Sequence, residues 1–186
     1  KKPIHLFCLV KRNSIDFACI DLLEPRTMIM TLVNGGAHLD FRTRKQSLTP
    51  LHRSAQFSRK EAIVVINYFS VSTKKNEEEF VLDSFELGAS ANVYDENNLT
   101  PLYLSITTNE IDSSYCCLLL LQDHSIVNCR NGNNSSELHE ACRLGLVQHV
   151  EHLLFYRCDI NAQDNQGNTP LHICSMTNQV RVCLFQ

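Results

Sequence analysis

Thr49-Pro50-Leu51-His52-Arg53-Ser54-Ala55, TPLHRSA, returns along the chain as TPLYLSI from Thr100, SELHEAC from Ser136 and TPLHICS from Thr169, with a weaker copy, KPIHLFC, from Lys2. Each residue type in the string answers a separate backbone demand. Thr49, Thr100, Ser136 and Thr169 can accept hydrogen bonds from the unpaired amides of a helix's first turn. Pro50, Pro101 and Pro170 then fall at the first helical position, where the missing N–H costs nothing and φ is already set. Leu51, Leu102, Leu138 and Leu171 are expected to point inward. The small pairs Ser54 and Ala55, Ala141 and Cys142, and Cys174 and Ser175 are expected to let a partner helix approach closely.

Working outward, each string is followed by a second apolar run: VVINYF from Val64, YCCLLLL from Tyr115 and VEHLLFY from Val150. A run at helical spacing predicts a buried helix packed on the first. Polar stretches complete the unit: GGAHLDFRTR from Gly35, GASANVYDEN from Gly88 and CDINAQDNQG from Cys158. They predict a helix-terminating glycine followed by a protruding hairpin loop. Strings at Ser136 and Thr169 start 33 residues apart and those at Thr100 and Ser136 start 36 apart. The string and its spacing resemble the ankyrin repeat, whose period is about 33 residues. The expected fold is therefore all-α: an ankyrin-repeat solenoid of stacked helix-turn-helix units spanning residues 1–186. About five repeats are expected, over roughly 2–46, 48–97, 99–133, 135–166 and 168–186, the last truncated.

Composition is compatible with this. At 186 residues and 44% hydrophobic content the chain can bury a sizeable core. Its apolar stretches are too short to cross a bilayer and no leader-like segment opens it, so a soluble, cytoplasmic body without membrane insertion is expected. The chain begins at Lys1 and stops inside a helix-like VRVCLFQ, which suggests a piece of a longer protein.

Nine cysteines include no CxxC pair, and Cys8, Cys142 and Cys174 sit in small-residue slots of first helices, so reduced thiols acting as small hydrophobes are expected. His5, His52, His139 and His172 share one slot, filled by Tyr103 in the remaining copy, and ligands on separate repeats do not share a coordination sphere. These imidazoles are expected to bond loop backbone instead. His139-Glu140 begins like a zinc-protease motif but lacks the second histidine, and His149 with His152 is a helical pair without a third ligand. No nucleophile elbow or phosphate-cradling glycine loop is present, so neither enzyme activity nor a cofactor or metal is expected. Asn98 and Asn134 match the glycosylation pattern by coincidence if the chain is cytosolic.

Charge is uneven although its sum is −3. Arg42, Arg44, Lys45, Arg53, Arg59 and Lys60 crowd one region, and an acidic cluster follows from Glu77 to Glu96. A solvated surface accounts for this, and a polarised docking face attracting an acidic segment is the alternative. Nucleic-acid binding is not expected from a chain of isoelectric point near 6.2 with no stacking aromatics in its basic patch. Loop-tip residues Asp40, Arg42, Arg44, Asp95, Glu96, Asn128, Arg130, Gln163 and Asp164 are the candidate partner contacts.

NGGAHLDFRTR from Asn34, LTPLY from Leu99, CCLLLLQDH from Cys116, HEACRLGLVQHVEHLLFY from His139 and GNTPLHIC from Gly167 together resemble the ankyrin region of the Shank scaffold proteins. That resemblance implies a non-enzymatic module of a postsynaptic-density scaffold linking receptor complexes to the actin cytoskeleton. It further implies cytoskeletal or regulatory partners such as spectrin and sharpin, and an N-terminal ubiquitin-like domain that folds back on the repeats. The SH3, PDZ and SAM segments of that family are not among these residues. A targeting array for an enzyme or ubiquitin-ligase adaptor, with its active part elsewhere, is the competing reading. Two departures stand out. The strings at Thr49 and Thr100 are 51 residues apart, so about 18 extra residues, around SVSTKKNEEE, predict an inserted loop near 70–80. Asp123 and Arg157 also stand where a helix-ending glycine is expected, and a left-handed Arg157 should cost about 1 kcal/mol.

Overall fold

The structure, a computed structural model, describes residues 25–72, 89–108 and 112–179. The weak copy at Lys2, most of the expected insertion and the VRVCLFQ end lie outside these residues. Eight helices are described: α1 Pro25–Asn34, α2 Pro50–Gln56, α3 Lys60–Ser72, α4 Pro101–Thr107, α5 Ser113–Gln122, α6 Glu137–Leu144, α7 Val147–Phe155 and α8 Pro170–Met176.

Each of the four described strings opens a helix. Thr49 is extended at φ −86°, its Oγ1 accepts from the His52 N–H at 3.4 Å, and its own N–H donates to His52 Nδ1 at 3.2 Å. Thr100 caps α4 through the Tyr103 N–H, and Ser136 and Thr169 form the same reciprocal box with His139 and His172. Histidine here does the job usually given to a capping-box glutamate, satisfying the cap residue's own amide.

Packing follows sequence order. The first helices α2, α4, α6 and α8 stack as one row, the second helices α1, α3, α5 and α7 as another, and each pair closes on itself. Leu51, Leu102 and Leu138 are fully buried between these rows, as are Ala55, Ala141 and Cys142. Burial of each such leucine contributes about 1.5–3 kcal/mol. The result is an all-α solenoid in which the core is one continuous seam from Ile29 to Cys174. Leu171 departs from the inward expectation: it is 47% exposed, because no described helix packs beyond α8 on the flank that covers its counterparts. Ser175 is exposed for the same reason.

Helix ends obey one rule with unexpected residues. Gly36, Ser58, His124, Gly145, Arg157 and Asn178 all take positive φ, between 50° and 83°. At each, the next amide reaches back into the helix, as with Cys158 N–H to Leu153 O at 3.1 Å and Arg157 N–H to Leu154 O at 3.0 Å. This is the Schellman arrangement. Arg157 stands in it as expected, at φ 59°. Asp123 does not: its φ is −85°, and the left-handed residue is His124, one position later. The alignment of glycine slots slips by one because Gly35 precedes the left-handed Gly36.

A left-handed arginine without a glycine's freedom stores strain of about 1 kcal/mol. Arg157→Gly should therefore raise the melting temperature by about 2–4 °C for a chain of this size, as read by a thermal scan.

Candidate protein-interaction surface

The loops between helix pairs are built on a repeated five-residue tip. Asp95 Oδ1 accepts from the Asn97 and Leu99 amides, both at 2.8 Å. Asn131 does the same for Asn133 and Ser135, and Asp164 for Gln166 and Asn168. Asn98, Asn134 and Gly167 supply the positive φ that closes each turn. The expected hairpins are thus side-chain-capped turns. Among the described residues there is no paired strand, only the isolated bridge between Arg130 and Ser136. Amides on the Asp164 carboxylate outweigh its partial desolvation and hold its pKa below the usual carboxylate range.

Neighbouring loops are stitched together in columns. Asp40 Oδ1 accepts from the Ser90 N–H at 3.2 Å, Asn92 Oδ1 from Ile126 at 2.7 Å, and Asn128 Oδ1 from Asp159 at 2.8 Å. Two residues on, Arg42 Nη1 donates to the Tyr94 carbonyl at 3.0 Å, and Arg130 Nη1 donates to the carbonyls of Asn134 at 3.1 Å and Gln163 at 3.0 Å. A third column runs deeper, through the shared histidine slot. His52 Nδ1 accepts the Thr49 amide, so the neutral ring carries its proton on Nε2 and donates to Leu99 O at 3.2 Å, immediately before the next string. His139 reaches Asn168 O at 3.0 Å in the same way. Tyr103, the odd member, shares its single O–H between Ser135 O at 3.4 Å and Glu140 Oε1 at 3.3 Å. A longer side chain reaches the equivalent carbonyl without using a ring nitrogen.

The nine candidate contacts therefore divide. Asp40, Arg42, Asn128 and Arg130 bind neighbouring loops, and Asp164 holds its own turn. Asp95 contradicts the expectation of an exposed tip: it is 8% exposed, drawn inward by the two amides it caps. Arg44, Glu96 and Gln163 are exposed, and their side chains make no described bond. Sequence position alone cannot separate these sets, because bonds to the next repeat's backbone leave no residue-type signature there. Charge crowding is also partly dispersed: Arg53 donates to Gln56 at 3.1 Å and Lys60 pairs with Asp112 at 3.3 Å.

The second-helix row carries a feature the apolar runs concealed. Val64, Tyr68 and Tyr115 are about half exposed or more, and a trough of about 530 Å³ lies between α3 and α5 over Val64, Val65 and Tyr115, rimmed by the Lys60–Asp112 pair. Phe155, in an apolar run expected to be buried, is 80% exposed.

Titratable groups inside the seam are desolvated. The six described cysteines are free thiols, and burial pushes Cys116 and Cys117 up to about 12 and Cys158 up to about 11. Such thiols are inert hydrophobes at neutral pH. Burial first, and then the neighbouring His152, lowers His149 to about 4. Among the described residues no group of three or more histidine, cysteine or acidic side chains is placed to hold a metal, and no helix is long and apolar enough to cross a membrane.

A family model described as "Ankyrin repeats (3 copies)" matches residues 69–164. The chain belongs to the ankyrin-repeat family. The array is 43% identical over 162 residues to human "SH3 and multiple ankyrin repeat domains protein 2", covering 86% of this chain and 8% of that protein. It is 35% identical over 123 residues to mouse "SH3 and multiple ankyrin repeat domains protein 1", covering 66% and 5% respectively. These relatives bear out the likeness to the Shank ankyrin region. The array spans less than a tenth of the length of either relative.

His149 has a folded pKa below its ordinary 6.5, so its contribution is present above pH 6.5 and is lost as pH falls from there through about 4. In urea titrations across that window, His149→Phe should lose less stability than the parent chain. Equal losses would mean that the imidazole does not titrate in this window.

Proposed function

We propose that this array is a non-catalytic docking module of a cytoplasmic scaffold at the postsynaptic density, where it joins receptor complexes to the actin cytoskeleton. The supporting observation is its 43% identity to a Shank ankyrin region across most of its length. A solenoid of this kind acts by presenting a long, rigid face of loop tips and first helices, with no need to lower a reaction barrier. On that face the first loop offers Arg44 and Lys45, while the next offers Glu96 and a later one Gln163. The partners this reading implies are spectrin-like cytoskeletal proteins, sharpin-like regulators and an N-terminal ubiquitin-like domain in the longer protein. An acidic segment suits the Arg44 and Lys45 tip, because opposite charge steers encounter and fixes register more than it adds affinity.

Arg44 and Lys45 bear on binding without bearing on the fold, whereas Arg42 serves the loop seam. Calorimetric titration with purified spectrin-repeat and sharpin fragments should show binding to at least one of them. Arg44→Glu with Lys45→Glu should weaken it about tenfold while leaving the melting temperature unchanged, the loss being worth about 1.4 kcal/mol. Arg42→Glu should lower both. Absence of binding to either fragment would remove the scaffold reading.

A further inference from the structure

Glu137 occupies the slot that Pro50, Pro101 and Pro170 fill in the other strings, the first helical position. Proline there is apolar and lacks an N–H, and burying it is inexpensive. Glutamate places a carboxyl in the same pocket, and it is 1% exposed. Oε1 accepts from the Cys129 N–H at 3.0 Å and the Asn128 and Glu137 amides also favour the charged form, whereas Oε2 is buried with no hydrogen-bond partner of good geometry among the described residues. A carboxylate left half-satisfied in a dry site is unfavourable, and its neutral form is the one the site tolerates.

The groups facing it do little to offset the charge. Tyr103 of α4, Cys117 of α5 and the loop thiols Cys129 and Cys158 all feel its charge, and burial raises the pKa of each. Arg130 opposes the shift by its charge, but its Nη1 is already bonded to the carbonyls of Asn134 and Gln163. Glu140, which takes up the Tyr103 hydroxyl, is itself paired with Arg143 at 2.6 Å and adds little net charge to this side of α6. Desolvation dominates the balance, and the backbone bonds and Arg130 only partly oppose it, so the Glu137 carboxyl is raised to about 7.

What Glu137 holds also matters. It anchors Cys129 from beneath, between Asn128, whose Oδ1 accepts from the Asp159 N–H, and Arg130, whose Nη1 donates to Gln163 O. These are two of the bonds that join the loop before α6 to the loop before α8, alongside the Asn165 N–H to Asn133 O at 3.1 Å and Asn134 Nδ2 to Gln163 O at 3.0 Å farther along the tip. We propose that Glu137 is a proton-operated latch: protonated, it lets residues 128–130 seat against the next loop, and ionised, it draws water into the pocket and loosens that seam. Because the folded pKa lies above the ordinary 4.5, the stabilisation is complete below pH 4.5 and is lost as pH rises through 7. The direction is opposite to that of His149.

The test compares the full chain with Glu137→Gln, which keeps the shape and stays neutral. From pH 5 to 8 the parent's unfolding constant should rise relative to the variant's by about tenfold or more. Hydrogen exchange at the Cys129 amide, corrected for intrinsic rates, should accelerate in the parent alone. Identical pH dependence in the two proteins would overturn the latch. Should the variant fail to fold, carbon NMR of the Glu137 carboxyl in the parent decides: a midpoint well above 4.5 supports the proposal, and one at the ordinary value overturns it.

Discussion

The bond from the fourth residue of a helix-opening string, at His52, Tyr103 and His139, to the carbonyl in front of the next string sets the register of the described array. Apolar burial supplies most of the energy, yet it is non-directional and would tolerate one helix pair sliding on another. A hydrogen bond would not. His52 and His139 are pinned at Nδ1 by their own cap residues, so Nε2–H points to one place, and Leu99 O and Asn168 O must meet it at 3.2 and 3.0 Å. Each such bond contributes only about 1 kcal/mol net, but leaving its buried partner unmet costs more than that. The cap of one unit and the position of the next are therefore a single constraint. Tyr103 meets the same constraint by a different chemistry.

Because the constraint repeats, so does its consequence at the surface. Polar side chains on the loops are divided between holding a turn, joining two turns and facing solvent, and the first two uses absorb most of the charged and amide residues that make these loops look like docking elements. A solenoid contacts only its neighbours, so its stability is close to a sum over seams. In such a body a substitution at Arg130 or Asn128 is felt at one seam, and one at Arg44, an exposed side chain with no described bond, at none. Glu137 belongs to the first class although it resembles neither: it is an acidic residue in a slot otherwise filled by proline, buried against the loop that makes the seam.

The repeated strings carried most of the architecture. Threonine followed by proline specifies a helix start, the leucine and small residues specify what is buried, and spacing near 33 residues specifies stacking. Backbone demands of this kind are local, so residue types report them. Helix ends were harder. Sequence points to glycine where φ must be positive, but Ser58, His124 and Asn178 take that conformation as well, because the two Schellman hydrogen bonds at each end outweigh a modest steric strain. Leu171 carries the same residue type as Leu51 yet stays exposed, because burial depends on a neighbour and not on the string itself.

Sequence alone determined that this chain makes capped helix pairs, that the pairs stack in order, and that His52 and His139 of the shared slot bond loop backbone. Only the tertiary structure decided which loop residues are taken up in joining the loops, that Asp95 turns inward, and that Glu137 is enclosed. The reason is physical: caps and helical spacing act within a few residues, whereas desolvation and bonds to the next repeat's carbonyls depend on atoms about thirty positions away in the chain.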